Sequence, residues 1–247
     1  MSLILRDLDK KASDSVAHYW QTLEQQGQMD GFAAMVRDVL VDNGLDDRFV
    51  VTKGRPSLPG YFRATKRWDM LVVRGGLLVA ALEFKSQRGP SFGDDLDAIT
   101  LEALGTGHDF WAAYGGQSFG PRAPRPWLGW LMLVEDCPNS TSPLALDETQ
   151  FAVRREFERT TYLERYQLLL HKLHRAKLYD GLALVTANAT TGPRGVYQEP
   201  ASDLSLHTML ASLAGHVAHV LAAEPRPPST SPTPDAEPPL STGPHVP

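Results

Sequence analysis

A chain of 247 residues, 42% of them hydrophobic and 21% charged, can bury one substantial core, so a single main domain is the expectation. Its one cysteine, Cys137, excludes an intramolecular disulfide and any multi-cysteine zinc site, which fits a cytoplasmic setting. Apolar runs such as Leu77–Leu82 and Leu128–Val134 fall far short of the roughly 20 residues of a membrane span, and the net charge of −5 argues against a uniformly basic surface.

In chain order, Val16, Ala17, Tyr19, Trp20 and Leu23 recur at helical spacing, and Phe32, Met35, Val36, Val39 and Leu40 repeat the pattern, predicting helices over 13–27 and 30–43. Phe49–Thr52 is a short β-type run, and 53–60, with two prolines and two glycines, reads as a loop. Two strands follow, Trp68–Val73 and Leu77–Lys85, joined by Gly75-Gly76 as in a hairpin. Residues 95–114 read as a helix weakened by Gly105 and Gly107. Beyond a Gly- and Pro-rich loop, 127–134 is a strand, 149–179 a long charged helix, 182–186 a strand and 205–223 a closing helix. From residue 224 Pro, Ser and Thr dominate, so 224–247 is expected to be a disordered tail behind a domain of 1–223. Strands alternating with helices imply an α/β fold, a mixed sheet with helices on both faces.

Charge is unevenly placed. Between residues 53 and 88, eight basic residues face two acidic ones, a local balance of +6 in an acidic chain. Such a segment suits a focused groove for a polyanion, with Lys53, Arg55, Arg63, Lys66, Arg67 and Arg88 as candidate DNA contacts. A solvated, Lys- and Arg-rich surface hairpin is the plainer alternative.

The two acids in that segment are Asp69 and Glu83, and Lys85 lies two residues beyond Glu83. Phosphodiester hydrolysis uses a metal to polarise the phosphate and lower the pKa of a bound water, and Mg²⁺ favours a few carboxylates, with water and phosphate completing its octahedron. At a strand period of two, Glu83 and Lys85 share one face of the sheet. In an antiparallel hairpin with a two-residue turn, Asp69 lies level with Leu82. A three-residue register or a bulge is needed to bring it level with Glu83, and that is the expectation. Asp69 and Glu83 would then hold the metal, with the Phe84 carbonyl as a further ligand, while Lys85 orients the attacking water and stabilises charge on the phosphate. An acid-x-Lys triplet alone is weak, and Asp9-Lys10-Lys11 is a second one. Here the triplet ends an apolar strand, where an unpaired charge is costly, and an aspartate starts the partner strand.

Pro59-Gly60-Tyr61-Phe62-Arg63-Ala64-Thr65-Lys66-Arg67-Trp68-Asp69, Ala81-Leu82-Glu83-Phe84-Lys85-Ser86-Gln87 and Gly89-Pro90-Ser91-Phe92-Gly93 resemble the Xho-type restriction endonucleases, PD-(D/E)xK enzymes that cut CTCGAG. The resemblance runs from about Met29 to the last helix. It implies the restriction-endonuclease core, a homodimer on palindromic double-stranded DNA, Mg²⁺ dependence, cleavage after the first C and a partner DNA methyltransferase. It also carries Asp69, Glu83 and Lys85 over as catalytic residues. One departure is the short Gln25–Gln28 connection ahead of Met29, where relatives are expected to have a longer Gly-, Lys- and Arg-rich one. A structure-specific or repair nuclease of the same superfamily, and a non-catalytic DNA-binding relative, are the alternatives.

Other candidates have plainer readings. His171 with His174, and His216 with His219, stand three apart without an evident third metal ligand. Glu24 reads as an exposed helix glutamate, the basic residues between 154 and 177 as partners of interspersed glutamates, and Gln117 and Arg122 as weak candidates for reading bases.

Overall fold

A computed structural model describes residues 4–54, 56–146 and 150–223. The predicted tail over 224–247 and the candidate contact Arg55 lie outside them. The elements are α1 (Leu8–Gln21), α2 (Asp30–Asp42), β1 (Val50–Val51), β2 (Ser57–Pro59), β3 (Thr65–Arg67), β4 (Met70–Arg74), β5 (Leu77–Gln87), α3 (Phe92–Gly115), β6 (Trp127–Glu135), the short α4 (Pro138–Thr141), α5 (Tyr162–Arg175), β7 (Gly181–Ala187) and α6 (Leu206–Ala223).

Five strands form one mixed sheet in the order β1-β4-β5-β6-β7. The β1-β4 and β4-β5 pairs are antiparallel, and β5-β6 and β6-β7 are parallel. The parallel strands are buried on both faces, as their unbroken apolar runs require. On one face, Val16 and Trp20 of α1, Phe32 and Val36 of α2, and Met209 and Leu213 of α6 pack with Met70, Leu82 and Phe84. On the other, Phe92, Ala103 and Phe110 of α3 and Tyr166 and Leu170 of α5 pack with Leu71, Ala81 and Trp130. The expected sheet with helices on both faces is the one observed.

α6 is long and apolar enough, at 18 residues and mean hydropathy 1.3, to meet the length and composition test for a membrane span. Its Leu206, Met209, Leu210, Leu213, Ala214 and Val217 are buried, with apolar members of that row in the first core, so its hydropathy is that of a core helix.

Two expectations are corrected. The 53–60 loop contains β2, which pairs with β3 in a separate two-stranded sheet with Leu58 opposite Lys66; the prolines at 56 and 59 masked so short a strand. The helix expected over 149–179 spans only Tyr162–Arg175. Thr161 and Glu164 form a reciprocal capping box that starts it, and Lys177, at φ 56°, lies just past its end. Ahead of the cap, Arg155–Phe157 is a 3-10 turn and Arg159 has φ 55°, so those arginines do not share a helix face. The helix expected over 95–114 is observed as α3, unbroken through Gly105 and Gly107. A Cβ at residue 107 would sit 3.2 Å from Leu178, so close packing there outweighs a propensity cost of about 1 kcal/mol per glycine.

Candidate active site

The site begins with the β4-β5 hairpin. Gly75 and Gly76, at φ 56° and 79°, make the tight two-residue turn whose left-handed backbone glycine adopts without cost. From that turn Arg74 pairs with Leu77 and Val73 with Leu78, but Val72 pairs with Ala80, leaving Val79 as the extra residue of a bulge. Beyond the bulge Met70 is level with Leu82. One further step in that register brings Asp69 level with Glu83. The bulge also reverses the alternation of β5, so Val79 and Ala80 both belong to the core of the α1, α2 and α6 face. Glu83 and Lys85 therefore fall on the face of Ala81 and α3.

The three residues named from sequence meet at one cleft of about 640 Å³, with Asp69, Glu83, Phe84 and Lys85 all in its wall. Asp69 Oδ2 accepts a 2.8 Å hydrogen bond from the Phe84 N–H, which pins its carboxylate against β5. Glu83 is 4% exposed. Lys66 Nζ reaches Glu83 Oε1 at 2.7 Å from β3, and Lys85 Nζ lies 3.8 Å from Glu83 Oε2. Lys85 also makes a 2.6 Å ion pair with Glu102 of α3.

Burial pushes the Glu83 carboxyl up to about 7; Lys66 opposes the shift and the nearby Asp69 charge adds to it. For Lys85, burial acts to lower the ammonium pKa, yet the hydrogen bond and charge of Glu102, with Glu83 and Asp69 behind it, outweigh burial and raise it. The site thus holds a carboxyl poised near neutrality beside a lysine kept charged.

Two partners here escaped the sequence reading. Glu102 belongs to a helix more than a dozen residues downstream, and its only signal was one acid among several on α3. Lys66 was named as a DNA contact, but its ammonium is bonded to Glu83 and lies 4.6 Å from the Trp68 ring centroid. The other candidate contacts are dispersed. Arg67 lines the cleft and is exposed. Arg88 lines an adjoining recess that shares Gln28 and Ser86 with the cleft. Lys53 is exposed on the turn after β1, and Arg63 is paired with Asp109. Gln26–Asp30, including the end of the short connection before Met29, form one side of the cleft. Glu24 is exposed and is not in its wall, and His171 is engaged by Asp203 at 3.0 Å.

Among the described residues no three His, Cys, Asp or Glu side chains gather to hold a metal unaided. The cleft wall carries four carboxylates, Asp30, Asp69, Glu83 and Glu102, of which Glu102 is paired with Lys85, so its acidic donors are all hard oxygens. That set suits Mg²⁺, which keeps several positions for water and phosphate, better than a fully caged transition metal.

Residues 13–199 match the family described as Restriction endonuclease XhoI. The chain is 44% identical over 196 residues to the type II restriction enzyme BstVI of Geobacillus stearothermophilus, covering 77% of this chain and 87% of that one. It is 44% identical over 176 residues to AbrI of Azospirillum brasilense, covering 63% and 79%, and 40% identical over 194 residues to XhoI of Xanthomonas vasicola, covering 70% and 78%. No solved structure matches the chain. The mixed sheet, the acidic cleft on its β4-β5 hairpin and these relatives define a type II restriction endonuclease, a site-specific deoxyribonuclease that binds DNA. The chain belongs to the XhoI restriction endonuclease family.

Proposed function

We propose that this enzyme cuts duplex DNA at CTCGAG as a homodimer, one strand per subunit, with Asp69, Glu83 and Lys85 of a PD-(D/E)xK nuclease domain over residues 1–223 as the catalytic group. The same reading makes it a cytoplasmic partner of a DNA methyltransferase that protects the host's own sites. The observation that carries it is the convergence of a strand-end aspartate, a buried glutamate and a charged lysine on one cleft.

Type II restriction enzymes are generally metal-dependent, and Mg²⁺ is the ion proposed here. When bound, it supplies charge that polarises the scissile phosphate and makes a nucleophile available at neutral pH. Asp69 and Glu83 would hold it, with the Phe84 carbonyl oxygen as a third protein ligand. Lys85, anchored by Glu102, directs its remaining ammonium protons at the attacking water and at the charge developing on the pentacovalent phosphate. Lys53, Arg55, Arg67 and Arg88 would contact phosphates along the duplex. Arg63 and Lys66, candidate contacts by sequence, are bonded instead to Asp109 and Glu83.

Digestion of plasmid DNA with Mg²⁺, followed by sequencing of the ends, tests this reading. Discrete fragments with TCGA overhangs are expected. Discrete fragments with other ends would reject CTCGAG as the target, random nicking would reject site-specific cutting, and retention of uncut DNA would reject the catalytic assignment.

A further inference from the structure

Asp109 is a buried carboxylate, 2% exposed, that no step of the proposed chemistry uses. Its Oδ1 accepts the N–H groups of Tyr61 at 2.9 Å and Phe62 at 2.8 Å, and its Oδ2 lies 3.0 Å from Arg63 Nε. Residue 60 must be a glycine at this turn: a Cβ there would stand 2.8 Å from Asp109 Oδ2 and 2.6 Å from the Arg63 carbonyl oxygen. A buried carboxylate is costly unless fully bonded, and here three donors from one turn satisfy it. Asp109 is thereby committed to the shape of the connection between β2 and β3.

That connection holds two aromatic side chains in solvent. Tyr61 is 62% exposed and Phe62 74% exposed, although most large aromatics of the described residues are buried. Their rings meet edge to face at 4.9 Å, and Tyr61 backs onto the end of α3, where a Cβ at Gly116 would be 3.5 Å from its ring. Phe62 is thus a rigidly carried, buttressed apolar projection.

Its position on the chain names the partner. Lys66, four residues on, is bonded to Glu83 in the cleft, so at most about 14 Å of backbone separates Phe62 from the catalytic carboxylate's partner. Successive base pairs rise about 3.4 Å along a duplex, so a duplex with a phosphate at Glu83 brings base pairs a few steps away to the distance of this projection. Arg63 next to the aromatics is bonded to Asp109, and exposed Arg67, in the cleft wall at the end of β3, brings positive charge to the same hairpin, which suits DNA better than an apolar protein surface.

We propose that Phe62, buttressed by Tyr61 and held by Asp109, is a wedge that presses into a base step of the bound duplex and unstacks it. This rests on the nuclease reading above and adds a contact surface to it. Apolar wedges of this kind exchange base stacking for a bent duplex that meets more of the protein.

The test uses the full chain, Ca²⁺ in place of Mg²⁺, and duplexes carrying the mapped cut site with 2-aminopurine at successive positions. The wild-type protein should raise fluorescence at one step. Phe62→Ala, with unchanged thermal stability, should abolish that rise and weaken affinity about 5- to 100-fold, the range set by one lost stacking contact; Phe62→Trp should restore both. Equal affinity and an equal rise for Phe62→Ala would overturn the wedge while leaving the nuclease reading intact. So would loss of self-association in Phe62→Ala by sedimentation, which would assign the tip to a subunit interface. Absence of binding and of cleavage by the wild-type protein would remove both proposals together.

Discussion

Lys66 Nζ lies 2.7 Å from Glu83 Oε1, so the glutamate at the centre of the cleft is held by a lysine from the small two-stranded sheet as well as approached by Lys85 on its own strand. The charge state of the site is therefore set jointly by two sheets and by α3.

Removing Lys66 should raise the Glu83 pKa above about 7, because its bond and charge oppose the upward push of burial. In Lys66→Met the acidic limb of the single-turnover cleavage profile should move to higher pH by about one unit. An unmoved limb would separate Lys66 from the ionisation of Glu83.

Divalent-ion affinity should follow the same ionisation. Glu83 must lose its proton to hold a cation, so Mg²⁺ or Ca²⁺ affinity, read by titration calorimetry from pH 5.5 to 8.5, should rise with pH and level off above about 7. Affinity flat across that window would place the ion elsewhere.

Stability should show the opposite trend. Because the folded-state pKa of Glu83 is raised, the folded protein carries no penalty from it below the unfolded value near 4.5. The penalty grows from there to about 7 and stays constant above. Glu83→Gln should therefore raise Tm at pH 8 by a few degrees, corresponding to about 1–3 kcal/mol, while abolishing cleavage. The gain should vanish near pH 4; a gain unchanged with pH would point to packing instead.

Glu102 holds Lys85 charged against burial. Glu102→Leu should lower the Lys85 pKa, bring the alkaline limb of the cleavage profile down and reduce the maximal rate about 10-fold. A profile without that shift would leave Glu102 a surface partner only.

The placement of the acids was legible to the point of needing a bulge. Asp69 and Glu83 are separated by the wrong parity for a two-residue Gly75-Gly76 turn, and the extra residue at Val79 resolves it. The strands β6 and β7 were legible because strands buried on both faces read as unbroken apolar runs. What was not legible came from distant contacts or short signals. Glu102 and Asp109 act on residues far away in the chain, β2 is three residues bracketed by prolines, and the capping box at Thr161 was hidden inside a run that looks helical throughout.

The most direct test is Lys85→Ala, assayed for duplex affinity with Ca²⁺ and for single-turnover cleavage with Mg²⁺. Cleavage should fall by about 100- to 1,000-fold, the scale of losing a group that stabilises transition-state charge, while affinity stays within about 3-fold, as expected for a lysine engaged by Glu102 rather than by the DNA backbone. Undiminished cleavage by Lys85→Ala would contradict the account.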